Sequence, residues 1–168
     1  TLPQLTMVWP TVPALHRDAW ALGVLTDLLT DGKEAPLNAV LIDEKKLTGE
    51  VTAFTDDGKV AGEMWLNVQA FDGVDLDAVK AALDEGFARF ESEGVDADAL
   101  ARVKTSQEVD FYGQIGSVLG KVRRLARYDL YAGTPDYAHR DVANLRAVTP
   151  HEVMRVYRTY TKDKPHVA

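Results

Sequence analysis

The chain has 168 residues, 46% of them hydrophobic, 27% charged and 8% aromatic, which excludes disordered, collagenous and low-complexity classes and suits one domain with its own core. Its 19 Lys and Arg against 26 Asp and Glu leave a net charge of −7, the wrong sign for a nucleic-acid binder or for docking on anionic lipid. No cysteine is present, so disulfides, thiolate zinc sites and a cysteine nucleophile are ruled out, and no run approaches the ~20 apolar residues of a membrane-inserted helix.

Residues 4–9 place Leu5, Met7 and Trp9 on one face, which predicts a half-buried strand stopped by Pro10 and Pro13. A dense apolar helix is expected from about Arg17 to Leu29, ended by Thr30-Asp31-Gly32 with Gly32 in a left-handed position. Pro36 opens a second helix in which Leu37, Val40 and Leu41 share a face. Leu47 to Phe54 then alternates Leu47, Gly49, Val51 and Ala53 against Thr48, Glu50 and Thr52, and Ala61 to Phe71 alternates in the same way. With Asp56-Asp57-Gly58-Lys59 as the turn between them, these two runs form a hairpin.

From Asp75 the period changes to that of a helix, with Leu76, Val79, Leu83, Phe87 and Phe90 in one stripe and Asp75 as N-cap. Gly94 closes that helix and Asp96 caps the next, which carries Leu100 and Val103 toward Phe111. Gly113, Gly116 and Gly120 interrupt it before Val122, Leu125 and Tyr128 resume helical spacing, and Gly133-Thr134-Pro135 is a firm stop. Thr149-Pro150-His151-Glu152 is a capping box, with Val148 and Val153 at the staple positions. The expected fold is α+β, an antiparallel sheet packed by helices on one face, in the order β-α-α-β-β-α-α-α-α-α. The chain starts Thr1-Leu2-Pro3-Gln4 and stops at His166-Val167-Ala168; both ends read as cuts, so residues 1–168 are expected to be one domain excised from a longer chain.

Chemistry is sparse. His16, His139, His151 and His166 are the only strong nitrogen ligands, and none has a second His four residues on. His151-Glu152-Val153-Met154-Arg155 begins like H-E-x-x-H but puts Arg155 where the second ligand belongs. Ser92, Ser106 and Ser117 are the only serines, and none sits in a G-x-S-x-G elbow. The Gly113, Gly116, Gly120 trio has no strand before it, so it reads as a flexible joint and not a phosphate loop. Lys121, Arg123, Arg124 and Arg127 form a basic cluster, read first as a solvated helical face with ion pairs and second as a surface for a carboxylate or an acidic partner.

Four segments, taken in order, carry a family resemblance. Trp9-Pro10-Thr11-Val12-Pro13 with Asp18-Ala19-Trp20-Ala21-Leu22, then Pro36-Leu37 through Asp43-Glu44-Lys45-Lys46-Leu47, then Gly94-Val95-Asp96 with Leu100, Val103 and Lys104, and finally Ala147-Val148-Thr149-Pro150-His151-Glu152-Val153 resemble the noncatalytic domain of the pitrilysin/insulysin zinc metallopeptidases. Members pair homologous α+β domains, only one of which bears H-x-x-E-H. The chain has no such motif, so the resemblance implies an inactive partner with no cofactor of its own. Zinc would lie in the parent protein's catalytic domain.

The partners implied are that catalytic domain, in the same chain or a second subunit, and a peptide or protein substrate enclosed between the two; bacterial relatives are often exported, which points to the periplasm. Under this reading peptide lies along an exposed strand edge, with Thr48–Phe54 and Met64–Phe71 as the candidate strands and Thr48, Glu50, Thr52 and Phe54 as the substrate-binding residues. Gly113, Gly116 and Gly120 would be the hinge between open and closed forms. Ile42 and Gly49 stand where many such domains carry an Arg and a Tyr that reach the active site, and neither side chain donates a hydrogen bond. The alternative is a structural, assembly or peptide-binding module of a pseudopeptidase with no active partner.

Overall fold

Alternating apolar residues and locally capped helices generate the architecture of the computed structural model, which describes residues 2–168. Strand β1 (Gln4–Thr11) leads to α1 (Ala19–Thr30) and to α2 (Pro36–Asn38), which continues as a π-helical segment over Ala39–Glu44. The hairpin β2 (Thr48–Asp57) and β3 (Gly62–Ala70) follows, and then α3 (Leu76–Glu93), α4 (Ala97–Ile115), α5 (Val118–Ala132), α6 (Ala138–Ala147) and α7 (Pro150–Val156), with a π-helical extension over Tyr157–Thr161. The three strands form one antiparallel sheet in the order β1-β3-β2. This is the expected α+β order.

One face of the sheet supplies Met7, Trp9, Met64, Leu66 and Val68 to a core completed by α1, α2, α3, α4, α6 and α7. The opposite face carries Thr52, Phe54 and Glu63, all exposed. Beyond the main core, Phe111, Tyr128 and Val142 form a small satellite cluster made only by α4, α5 and α6.

Local chemistry explains where the helices begin. Asp75 accepts from the Asp77 amide at 3.1 Å and Asp96 from the Ala99 amide at 2.7 Å, as N-caps should. At α7 both halves of the capping box are made: Thr149 Oγ1 accepts from the Glu152 amide, and the Thr149 amide donates to the Glu152 carboxylate. Val148 and Val153 are both buried at the staple positions.

Four expectations are corrected. Pro10 does not stop β1, which runs to Thr11. Val8 exchanges both main-chain hydrogen bonds with Val167 on the outer side of β1, so Pro10, two residues on, also turns its missing N–H away from the sheet and breaks no ladder bond. The helix expected from about Arg17 starts at Ala19, with Asp18 at the N-cap position but its carboxylate making no cap bond. Asp18 instead takes two bonds from Arg155, at 2.6 and 3.2 Å, and one from Tyr160 Oη at 2.8 Å.

The hairpin turn lies two residues later than expected. Asp56 and Asp57 pair with Glu63 and Gly62, and Gly58 to Ala61 make the turn, closed by the Gly58 amide on the Ala61 carbonyl. Finally, the alternation in β2 breaks at a bulge between Thr48 and Val51, which puts both residues on the buried side.

Candidate functional site

Strand β2 is an edge strand and β3 is central, so Met64–Phe71 is excluded as a docking edge and Thr48–Phe54 is retained. Thr48, expected to offer its side chain, is 1% exposed. Its hydroxyl donates within reach of the Gln69 and Glu50 carbonyls, at 2.5 and 2.9 Å, and accepts from the Glu50 amide at 3.1 Å. Thr48 therefore pins the bulge and is not available to a ligand. Glu50, Thr52 and Phe54 are exposed. The Phe54 ring lies parallel to Trp65 of β3 with centroids 6.1 Å apart, and the Trp65 indole donates to Glu63 at 3.0 Å. The edge thus presents free main chain beside a fixed aromatic step.

Helix α5 is tied to the far end of β2 by a side-chain bond. Arg127 donates to Asp57 at 2.9 Å and stands over the Tyr131 ring at 5.1 Å. Arg124 donates to Gln114 Oε1 at 2.8 Å and stacks 4.7 Å from the Phe111 centroid. Arg123 and Lys121 are exposed. The ion-pair reading of the basic cluster therefore holds for Arg124 and Arg127.

Asp141 of α6 organises this corner. Its carboxylate accepts from the Trp20 indole at 2.7 Å and from Tyr128 Oη at 2.5 Å, with Arg124 at 3.5 Å. Burial and the bond to Asp141 push the Tyr128 hydroxyl well above its ordinary pKa. Asp141→Leu strands the buried Tyr128 hydroxyl and the Trp20 N–H, and an expected loss of about 2 kcal/mol would be read from the urea unfolding midpoint.

The three glycines separate in role. Gly113 is exposed within α4, with open space where a Cβ would stand. Gly116 keeps a helical conformation at the C-cap of α4, and Ser117 caps α5 by accepting from the Gly120 amide. A Cβ on Gly120 would fall 1.8 Å from the Gln114 carbonyl oxygen. Gly120 is thus a close-approach position where the two helices turn a corner. Ile42 is half-buried against the core, and Gly49 is exposed in the bulge, where an added Cβ would lie 3.6 Å from the Phe71 ring.

The residues do not fit a zinc ion. Among the described residues no group of three or more His, Asp or Glu side chains is placed to hold a metal. His151 is exposed at the second position of α7, and Arg155, in the place of a second ligand, is bound to Asp18. No helix among the described residues is long and apolar enough to cross a membrane.

A family model described as the peptidase M16 inactive domain matches residues 1–107, well over half of the chain. The chain belongs to that family. Its M16 inactive-domain fold recurs in solved structures of low identity. A protease from Helicobacter pylori is 18% identical with a TM-score of 0.84, and the match covers 96% of this chain but only 39% of that one. The inactive peptidase domain of a "putative zinc protease" from Bordetella parapertussis is 16% identical with a TM-score of 0.83, covering 99% of this chain and 91% of that one. A chain of complex III from Candida albicans is 13% identical with a TM-score of 0.80, covering 99% and 42% respectively. No curated protein sequence matches the chain.

Proposed function

We propose that this M16 inactive domain is the noncatalytic half of a zinc metalloendopeptidase, residues 1–168 forming one domain of a longer or multi-subunit assembly. It packs against a homologous H-x-x-E-H domain and closes peptide substrate between the two. The observation that carries the reading is membership of a family described as inactive peptidase domains, joined to an exposed edge strand on this domain. An extended peptide adds to such an edge by main-chain pairing, which tolerates many sequences. Of the residues first named, Glu50, Thr52 and Phe54 are the ones accessible to it. With Ile42 half-buried and Gly49 without a side chain, this domain supplies enclosure and not donors to the reacting carbonyl.

The test is reconstitution with a catalytic domain encoded in the same reading frame or beside it. Cleavage of an unfolded, internally quenched peptide is expected only when both domains are present, with zinc found in the catalytic partner. A catalytic domain that is fully active alone and does not associate with this chain would overturn the reading. The likeness to a complex III chain favours a second reading, a scaffold without an active partner. It predicts that no H-x-x-E-H domain accompanies this one.

A further inference from the structure

The cleft between β2 and α5 has a chemistry of its own. It measures about 830 Å³ and is lined by Thr55 of β2, Gln107 and Gln114 of α4, and Arg123, Arg124 and Arg127 of α5. At 100° per residue those three arginines share one face of α5. Beyond the bulge, β2 turns Val51, Ala53, Thr55 and Asp57 toward the helices and Thr52, Phe54 and Asp56 away from them. The cleft therefore lies on the helix side of the edge strand, at the end where Asp57 anchors Arg127.

A segment added to β2 continues the pleat, so its side chains alternate between the two faces. Those on the outer face meet the Phe54 and Trp65 step; those on the helix side meet the arginines. Two carboxylates already face the cleft cations: Asp57 holds Arg127, and Asp141 lies 3.5 Å from Arg124. Arg123 is exposed and makes no ion pair among the described residues. Each guanidinium has five N–H donors, and the bonds made to Asp57, Gln114 and Asp141 leave several unused. A concentration of cations in a chain of net charge −7, beside free main-chain pairing groups, is complementary to a carboxylate-bearing extended segment.

We propose that this cleft selects acidic peptides: Glu or Asp side chains at alternate positions of a segment paired to β2 enter it and are bound by Arg123, with Arg124 and Arg127 as held neighbours. The inference rests on the edge reading given under Proposed function and adds the substrate class. It is tested on the 168-residue chain by fluorescence anisotropy with labelled peptides of alternating Glu and Thr, Gln and Thr, or Lys and Thr.

In low salt, where screening is weak, the Glu peptide is expected to bind ~tenfold or more tightly than the Gln peptide, and the Lys peptide more weakly still. Arg123→Glu is expected to abolish that preference, while Arg158→Glu, an equal change of charge on an exposed residue outside the cleft, leaves it. Circular dichroism confirms that both variants fold. Equal affinity for the Glu and Gln peptides, or a preference untouched by Arg123→Glu, overturns the cleft assignment and leaves the edge reading standing. Binding that survives N-methylation of alternate main-chain amides sinks the edge reading itself, and binding by none of the peptides overturns both.

Discussion

Arg155→Met lowers the unfolding free energy by about 2 kcal/mol at neutral pH, less than the roughly 3–5 kcal/mol of a fully buried pair because the Arg155 side chain is itself partly exposed. The Asp18 side chain is 3% exposed, and without Arg155 it keeps only Tyr160 Oη at 2.8 Å and Arg17 at 3.6 Å. Methionine preserves much of the apolar stem, so the loss reports the stranded carboxylate and not a cavity.

The pH dependence separates this cause from simple packing. In the intact protein the Arg155 bonds hold the Asp18 carboxyl below its ordinary value of 3.8. A depressed carboxyl contributes stability that is present above the unfolded pKa and lost as pH falls through the folded one, here below about pH 4. In the variant, burial without a guanidinium raises the carboxyl instead, and its penalty grows as pH rises. The gap between the two proteins is therefore widest at neutral pH and narrows toward pH 3. A pH-independent gap in urea unfolding would refute the account.

Gly120→Ala and Gly113→Ala are expected to move stability in opposite directions. Were both glycines simply loose joints, alanine would stabilise each by roughly 0.5–1 kcal/mol through helix propensity and reduced backbone entropy. Gly113 is exposed and an added Cβ would meet nothing within 4 Å beyond its own helix, so that gain is expected there. At Gly120 the added carbon would meet the Gln114 carbonyl oxygen at 1.8 Å and its carbon at 2.8 Å. Main chain cannot swing aside like a side chain, so the α4–α5 corner must open, at about 1–3 kcal/mol. Thermal melting of the two variants reads the signs directly. A stabilised Gly120→Ala would restore the flexible-joint interpretation for that residue.

The elements whose signals are local were legible in the chain. Asp75, Asp96 and Thr149 each bond an amide two or three residues away, so their helices start where the cap residues stand. Tertiary decisions were not. Asp18 spends its carboxylate on Arg155, 137 positions later, which no local pattern announces. The Trp20 indole finds Asp141 across 121 positions. Thr48 fits the outward row of an ideal strand, but the bulge puts it on the buried side, where its hydroxyl bonds the Gln69 carbonyl of the neighbouring strand. The β2 edge could be listed as one of two candidates, but choosing it needed the pairing of β1 with β3, which no local pattern encodes. The basic cluster was visible on α5, whereas the cleft it lines depends on Thr55 and Gln107 arriving from elsewhere in the chain.

The paired hydrogen bonds between Val8 and Val167 bring the first strand and the last described segment side by side on one margin of the sheet. The chain thereby covers part of one sheet margin with its own later segment, while the β2 margin carries no such cover among the described residues.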